Sequence, residues 1–207
     1  MNAAVPSAAR AEIVVDLDAV RHNVRTLKER FDGRALMVVV KADGYGHGML
    51  EVARAAREAG ADWLGVAVVE EALALREVGD DGPLLTWLAV PGEDFRPALE
   101  HDVDVTAYTV EELDEIREAA RATGTVARVQ LKIDTGLSRG GSSQEAWPDL
   151  VAAAVAAEAS GEVAVTGAGI RPPPVPMILN GRPPTESRTY RALAALTIRQ
   201  RSTCPAA

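Results

Sequence analysis

Apolar and polar positions along this chain keep two rhythms. Short β-branched runs bounded by turn residues alternate with longer stretches in which apolar residues recur at helical spacing. Ile13–Leu17 reads as a strand, and Asp18 as the N-cap of a helix to about Arg30. Leu36–Val40, Trp63–Ala67, Leu84–Leu88, Val103–Ala107, Val126–Ile133 and Val163–Thr166 read as further strands. Between them the pattern predicts helices over His47–Ala59, over Glu70–Val78, near Asp94–Glu100, from Thr109 to about Thr123, and from Ser142 to about Ser160. Thr109 with Glu112, and Ser142 with Glu145, have the spacing of a capping box.

Strands and helices alternating at this spacing mean repeated βαβ units and a parallel sheet. Leu36 to Thr166 supplies six strands and five intervening helices. A doubly wound sheet can use six, and a closed barrel needs two more. Periodicity does not choose between them. Residues able to do chemistry end several different strands, which favours the barrel. The expected fold is therefore α/β, a (β/α)8 TIM-type barrel incomplete at its C-terminal end.

The segment Val38-Val39-Val40-Lys41-Ala42-Asp43-Gly44-Tyr45-Gly46-His47-Gly48 sharpens the reading. A buried-strand run stops at a lysine, and a glycine-punctuated turn follows. A charge at such a strand end costs free energy unless it is paired or used, and lysines that form imines with carbonyl cofactors are found in such places. The chain has only three lysines, Lys28, Lys41 and Lys132, among 22 basic residues. Arginine cannot replace lysine in imine chemistry. Lys28 lies on a helical pattern, whereas Lys41 and Lys132 both end apolar runs. The bland alternative for Lys41 is a strand-end ammonium that simply reaches water.

Composition is that of an ordinary globular chain, 47% hydrophobic and 25% charged. The net charge of −8 argues against a nucleic-acid partner. One cysteine, Cys204, leaves no intrachain disulfide and fits a reducing, cytoplasmic setting. No apolar run is long enough to span a membrane, no secretion signal opens the chain, and no metal-ligand pattern stands out.

Three regions are expected: residues 1–10 as a disordered N-terminus, 11–167 as the partial barrel, and 168–207 as a separate tail. The tail holds seven of the twelve prolines, and six arginines against one acid, Glu186. Either a shifted reading frame or a disordered basic tail accounts for that composition.

Val38–Gly48 resembles the cofactor-lysine segment of alanine racemases, pyridoxal-phosphate enzymes with an N-terminal barrel and a C-terminal β domain. Lys132-Ile133-Asp134-Thr135-Gly136-Leu137-Ser138-Arg139-Gly140-Gly141 resembles that family's K-x-D-T-G-x-x-R-x-G loop. Trp63–Ala72 and Glu12–Leu17 fit in pattern and order, so the resemblance covers roughly residues 11–167. It implies that Lys41 holds pyridoxal 5'-phosphate as an imine and moves the α-proton on one face of the substrate. It further implies that Tyr45 packs beside Lys41, and that Arg139 contacts the cofactor's phenolic oxygen and the substrate carboxylate. Lys132 matches a lysine carbamylated in many members, where it orients that arginine. The implied activity is interconversion of L- and D-alanine for peptidoglycan supply, by a homodimer in the full-length family.

After Gly167 the chain departs from the family pattern. The histidine that stacks on the cofactor, the last barrel strands, the phosphate loops and the C-terminal domain with its second base have no match. The expectation is a truncated chain, poorly active and prone to aggregate through unpaired strand edges. Racemisation of serine, a non-catalytic pyridoxal-phosphate-binding barrel and an inactive remnant are the competing readings.

Overall fold

The computed structural model describes residues 13–30 and 34–170, with side chains to 168. The expected N-terminal region 1–10 and the tail beyond 170 lie outside the described residues. Helix α1 (Leu17–Arg30) leads into β1 (Met37–Val39). A single turn, α2 (Lys41–Gly46), and helix α3 (Met49–Glu58) follow. Then come β2 (Trp63–Val66), α4 (Val69–Glu77), β3 (Leu84–Thr86), α5 (Arg96–Glu100) and β4 (Val105–Ala107). Helix α6 (Val110–Thr123), β5 (Ala127–Ile133), α7 (Trp147–Ala159) and β6 (Val163–Ile170) complete the order.

All the strands pair in parallel and in sequence order, β1-β2-β3 and β4-β5-β6. A single parallel bridge, Leu85 to Asp104, joins the two triplets, with Thr86 N–H donating to the Asp104 carbonyl at 3.0 Å and Asp104 N–H to the Leu84 carbonyl at 2.8 Å. Six strands in unbroken order leave no reversal point, which rules out the doubly wound sheet. This is the α/β barrel architecture, with six of its eight strands among the described residues.

One face of the sheet packs on the helices. Val40, Leu64, Val66, Leu84, Val105, Val129 and Leu131 are buried there against Leu75, Leu113, Ile116 and Leu150. Each fully buried aliphatic side chain contributes about 1.5–3 kcal/mol. Helix α6 shows why the sequence folds this way. The Thr109 hydroxyl accepts from Glu112 N–H at 3.2 Å, acids fill the first turn, and Gly124 closes the end in the left-handed region. Leu113, Ile116 and Ala120 then fall on the buried face. Ile116→Asp would put an unpaired charge into that layer.

Several expectations need correcting. Ile13–Leu17 is not a strand: residues 13–16 are irregular, Leu17 already opens α1, and Ile13 and Val14 are 90% and 76% exposed. An isolated strand has no ladder among the described residues to satisfy it. The cap of α1 is Asp16, whose carboxylate accepts from Asp18 and Ala19 N–H at 2.9 and 3.0 Å. Ser142 does not cap a helix. It pairs with Ile133 as a bridge, and Ser143 accepts from Ala146 N–H at 3.2 Å ahead of α7. Strand β6 continues past Thr166 to Ile170 because the seven-residue β5 offers partners that far.

The predicted helix start at His47 also shifts. Ala42, Asp43, Gly44 and Tyr45 all have φ between 53° and 61° and ψ between 34° and 53°, a left-handed helical turn. Such a conformation costs a non-glycine residue about 1–2 kcal/mol. Hydrogen bonds hold it: Gly44 N–H to the Val40 carbonyl at 2.8 Å, and Gly48 N–H to the Asp43 carbonyl at 3.0 Å. The Asp43 carboxylate accepts from Met49 N–H at 2.8 Å and so caps α3.

Candidate active site at the C-terminal rim

Parallel strands bring all their C-terminal ends to one rim, and the side chains singled out in the sequence sit there. Lys41 follows β1 after one residue, the buried Val40, and is half-buried. The left-handed turn brings the exposed Tyr45 ring back over it, with the Lys41 ammonium 4.8 Å from the ring centroid. No carboxylate among the described residues forms an ion pair with Lys41. His47, which ends the turn, places Nδ1 2.9 Å from the Gly44 carbonyl, a bond that braces the backbone.

The second cluster forms around β5. Burial of its strand alternates along Ala127–Ile133, and Lys132 falls on the face that carries Arg128 and Gln130. Its ammonium lies 4.6 Å from the Tyr108 ring centroid and donates to the Tyr108 hydroxyl at 3.4 Å. Burial lowers the Lys132 pKa first, and the positive charge of Arg139 lowers it further, while Asp134 and Glu112 pull it back. Burial, with the Glu112 charge adding to it, pushes the Tyr108 phenol up to about 12. Lys132, Asp134, Leu137, Arg139 and Gly140 line one small cleft of about 20 Å³.

The loop that carries Arg139 is built by Asp134. Its carboxylate accepts from Gly136 N–H at 2.9 Å and Ser138 N–H at 3.1 Å, and these bonds hold the carboxyl below the usual range. The loop then folds back on its own strand. Ser142 N–H donates to the Lys132 carbonyl and Asp134 N–H to the Ser142 carbonyl, both at 2.8 Å. Gly141 permits that return, since a Cβ there would stand 2.7 Å from Asp134 N and 2.8 Å from Ile133 C. Arg139 itself is exposed.

Lys41 with Tyr45 makes one cluster, and Lys132 with Tyr108 and Arg139 the other. No hydrogen bond, ion pair or ring contact among the described residues joins Lys41 or Tyr45 to the second group. Both lie on the same rim of one parallel wall. Sequence reasoning gave no role to Tyr108. The signal was present, an aromatic standing directly after a strand at the level of Lys41 and Lys132. It also passed over Glu71, which accepts from backbone N–H groups of two neighbouring loops.

The opposite rim is stitched by ions. Arg57 binds Asp80, and Arg76 meets both Asp80 and the Asp102 carbonyl. Arg128 reaches Asp102 and the buried Asp104, whose second oxygen accepts from Thr166 Oγ1 at 3.0 Å. Fixed charge neutralisation sits at one end of the wall, and at the other Lys41 and Arg139 form no ion pair among the described residues. A primary amine without a carboxylate partner can add to a carbonyl compound. An exposed guanidinium offers a planar fork to a carboxylate or phenolate. This donor set fits an anionic aldehyde. Among the described residues no group of His, Cys, Asp and Glu could hold a metal ion, and no helix is long and apolar enough to cross a membrane.

A family model described as alanine racemase, N-terminal domain, matches residues 15–168. An alanine racemase of Frankia casuarinae is 54% identical over 158 residues, covering 76% of this chain and 41% of the relative. One of Salinispora arenicola is 49% identical over 158 residues, covering 76% and 42%. Among solved structures, alanine racemase from a D-cycloserine-producing Streptomyces lavendulae superposes with a TM-score of 0.74 at 54% identity, over 75% of this chain and 41% of that one. A histidine racemase from Leuconostoc mesenteroides gives 0.68 at 31% identity, over 74% and 41%. The chain thus spans about two fifths of the length of the relatives it matches.

Proposed function

The chain belongs to the alanine racemase N-terminal domain family, and from that premise we propose that it carries the cofactor-lysine barrel of an amino-acid racemase that interconverts L- and D-alanine. The observation that carries the proposal is Lys41, a half-buried amine at the end of β1, free of carboxylate ion pairs among the described residues and covered by the Tyr45 ring. Pyridoxal phosphate, when bound, would supply an electron sink for the negative charge left at the substrate's α-carbon.

Lys41 would hold that group covalently and would exchange the α-proton on one face of the substrate. Its primary amine is suited to both tasks, as a nucleophile towards a carbonyl group and, when neutral, as a base. Tyr45 restricts the amine's swing and shields it from water. Arg139 binds the substrate carboxylate and the cofactor's phenolic oxygen. Lys132 is the position for carbamylation: burial and Arg139 favour the neutral amine, which would add to carbon dioxide and release a proton to solvent, and the resulting carbamate anion would orient Arg139. The wider context we propose is that of the full-length relatives: a cytoplasmic homodimer that supplies D-alanine for peptidoglycan.

Two measurements test this. Adding pyridoxal phosphate to the full chain should give a visible absorbance band, and borohydride should fix the label on Lys41. Lys41→Ala should abolish both, and an undiminished band in that variant overturns the assignment. Exchange of the alanine α-proton in deuterated water then separates a racemase from a barrel that only binds the cofactor. The match to a histidine racemase makes substrate side-chain size worth varying in the same assay.

A further inference from the structure

Glu71 has a position that helix capping alone does not explain. It is the third residue of α4, and Val68, just before that helix, has no side-chain acceptor of its own. The Glu71 carboxylate accepts from Ala67 N–H at 2.8 Å and from Val68 N–H at 3.4 Å through one oxygen. Its other oxygen accepts from Ala42 N–H at 2.6 Å, 29 residues away. That N–H belongs to the residue directly after Lys41, at the start of the left-handed turn.

The chain contains its own comparison. Val69-Glu70-Glu71 recurs as Val110-Glu111-Glu112 at the start of α6. Glu112 accepts from Tyr108 N–H at 2.7 Å, so this carboxylate too returns to the loop ahead of its own helix. Of the two, Glu71 alone bonds to the loop of a neighbouring strand among the described residues. The added reach lands on the turn that costs most to hold. Ala42, Asp43 and Tyr45 all stand at positive φ without being glycine, and Tyr45 is the residue that covers the amine.

We propose that Glu71 is a positioning residue for Lys41: its carboxylate clamps the left-handed turn onto the loop after β2 and thereby fixes where the amine and its Tyr45 cover stand. The proposal rests on the reading of Lys41 as the cofactor-binding lysine. Both oxygens accept from N–H groups, so an amide would turn a donor towards one of them. Glu71→Gln therefore breaks the clamp without changing its length, and Glu71→Met keeps the length with no acceptor at all.

The test uses the full chain, pyridoxal phosphate, borohydride and peptide mapping, with Lys28 as the internal reference. In the wild type the label should fall on Lys41. In Glu71→Gln the rate of labelling at Lys41, relative to Lys28, should drop about tenfold, the scale of one charge-assisted hydrogen bond. Its pH profile should shift, and Glu71→Met should do the same. Amide exchange at Ala42 should quicken while the urea midpoint stays close to that of the wild type. A wild type without label at Lys41 sinks the reading of Lys41 itself. A labelled wild type with unchanged selectivity in Glu71→Gln overturns the positioning role alone. Loss of the fold in both variants overturns it as well, because Glu71 would then hold the scaffold rather than the amine.

Discussion

Asp104→Ala is the sharpest probe of how the wall is held together. Asp104 is 1% exposed and sits at the single bridge between the two strand triplets. Its carboxylate accepts from Arg128 Nε at 2.5 Å and from Thr166 Oγ1 at 3.0 Å, so it links β4 to β5 and β6. Removing one partner of a buried ion pair costs about 3–5 kcal/mol. Here Arg128 is 39% exposed and keeps Asp102, at 3.0 Å to the carboxylate and 2.7 Å to the carbonyl, so solvent and Asp102 recover part of that loss. We expect a net loss of about 2 kcal/mol, a large share of the roughly 5–15 kcal/mol available to a domain. In a chain of this size that is a fall of about 4–8 °C in Tm. Urea and thermal unfolding followed by circular dichroism measure it. Asp102→Asn is the control, because its carboxylate is 84% exposed and an asparagine keeps the left-handed backbone at φ 55°, so the change should be below about 0.5 kcal/mol. Burial holds the Asp104 carboxyl above the ordinary range, against the pull of Arg128 and Thr166. Stability linked to a raised carboxyl is present below the unfolded value of about 4 and lost as pH rises through the folded value. The gap between wild type and variant should therefore narrow as pH rises above about 4. If Asp104→Ala loses no more than Asp102→Asn, the backbone alone holds the seam and the reasoning fails.

Gly141→Ala should destabilise by about 1–3 kcal/mol, because φ is 128° and the new methyl would meet the backbone of Ile133 and Asp134. Gly136→Ala, also at positive φ but with open space around it, should lose less in the same melting assay. Arg121, then Arg117, pull the Glu162 carboxyl down to about 2. Its contribution is present above the unfolded value of about 4.3 and lost as pH falls through about 2, so Glu162→Gln should flatten the acid limb of the urea midpoint. Alkaline titration by ultraviolet absorbance should show one phenol ionising only at about 12, absent in Tyr108→Phe. Complete ionisation near the ordinary tyrosine value of about 10 would remove the buried phenol from the site.

Much of this architecture can be read from residues alone, for physical reasons that differ by element. Strands such as Trp63–Val66 and helices such as Val110–Thr123 announce themselves because burial imposes a period on the sequence. Lys41 and Lys132 stand out because an amine ending an apolar run needs a reason to be there. Ile13–Leu17 misleads because β-branched composition reports what a segment could pair with, not whether a partner strand is at hand. Ser142 misleads because a capping-box spacing is local, whereas the bridge to Ile133 depends on the loop folding back. Glu71 stays hidden because its contact runs to a neighbouring strand's loop across 29 positions of sequence, and the place of Tyr108 after its strand does not disclose its contact with Lys132, 24 positions on. The handedness of Ala42–Tyr45 is invisible too, since only one of the four residues is a glycine.

That reversed turn has a consequence for how the molecule fails. A right-handed coil over the same positions is the cheaper local conformer, so the segment beside the amine is wound against its own preference and kept there by neighbours. When the surrounding loops loosen, this coil is poised to unwind ahead of the aliphatic layer beneath the sheet. Reactivity at Lys41 would then be forfeited while most of the molecule is still native, making the amine a more sensitive gauge of early damage than any measure of overall helix content.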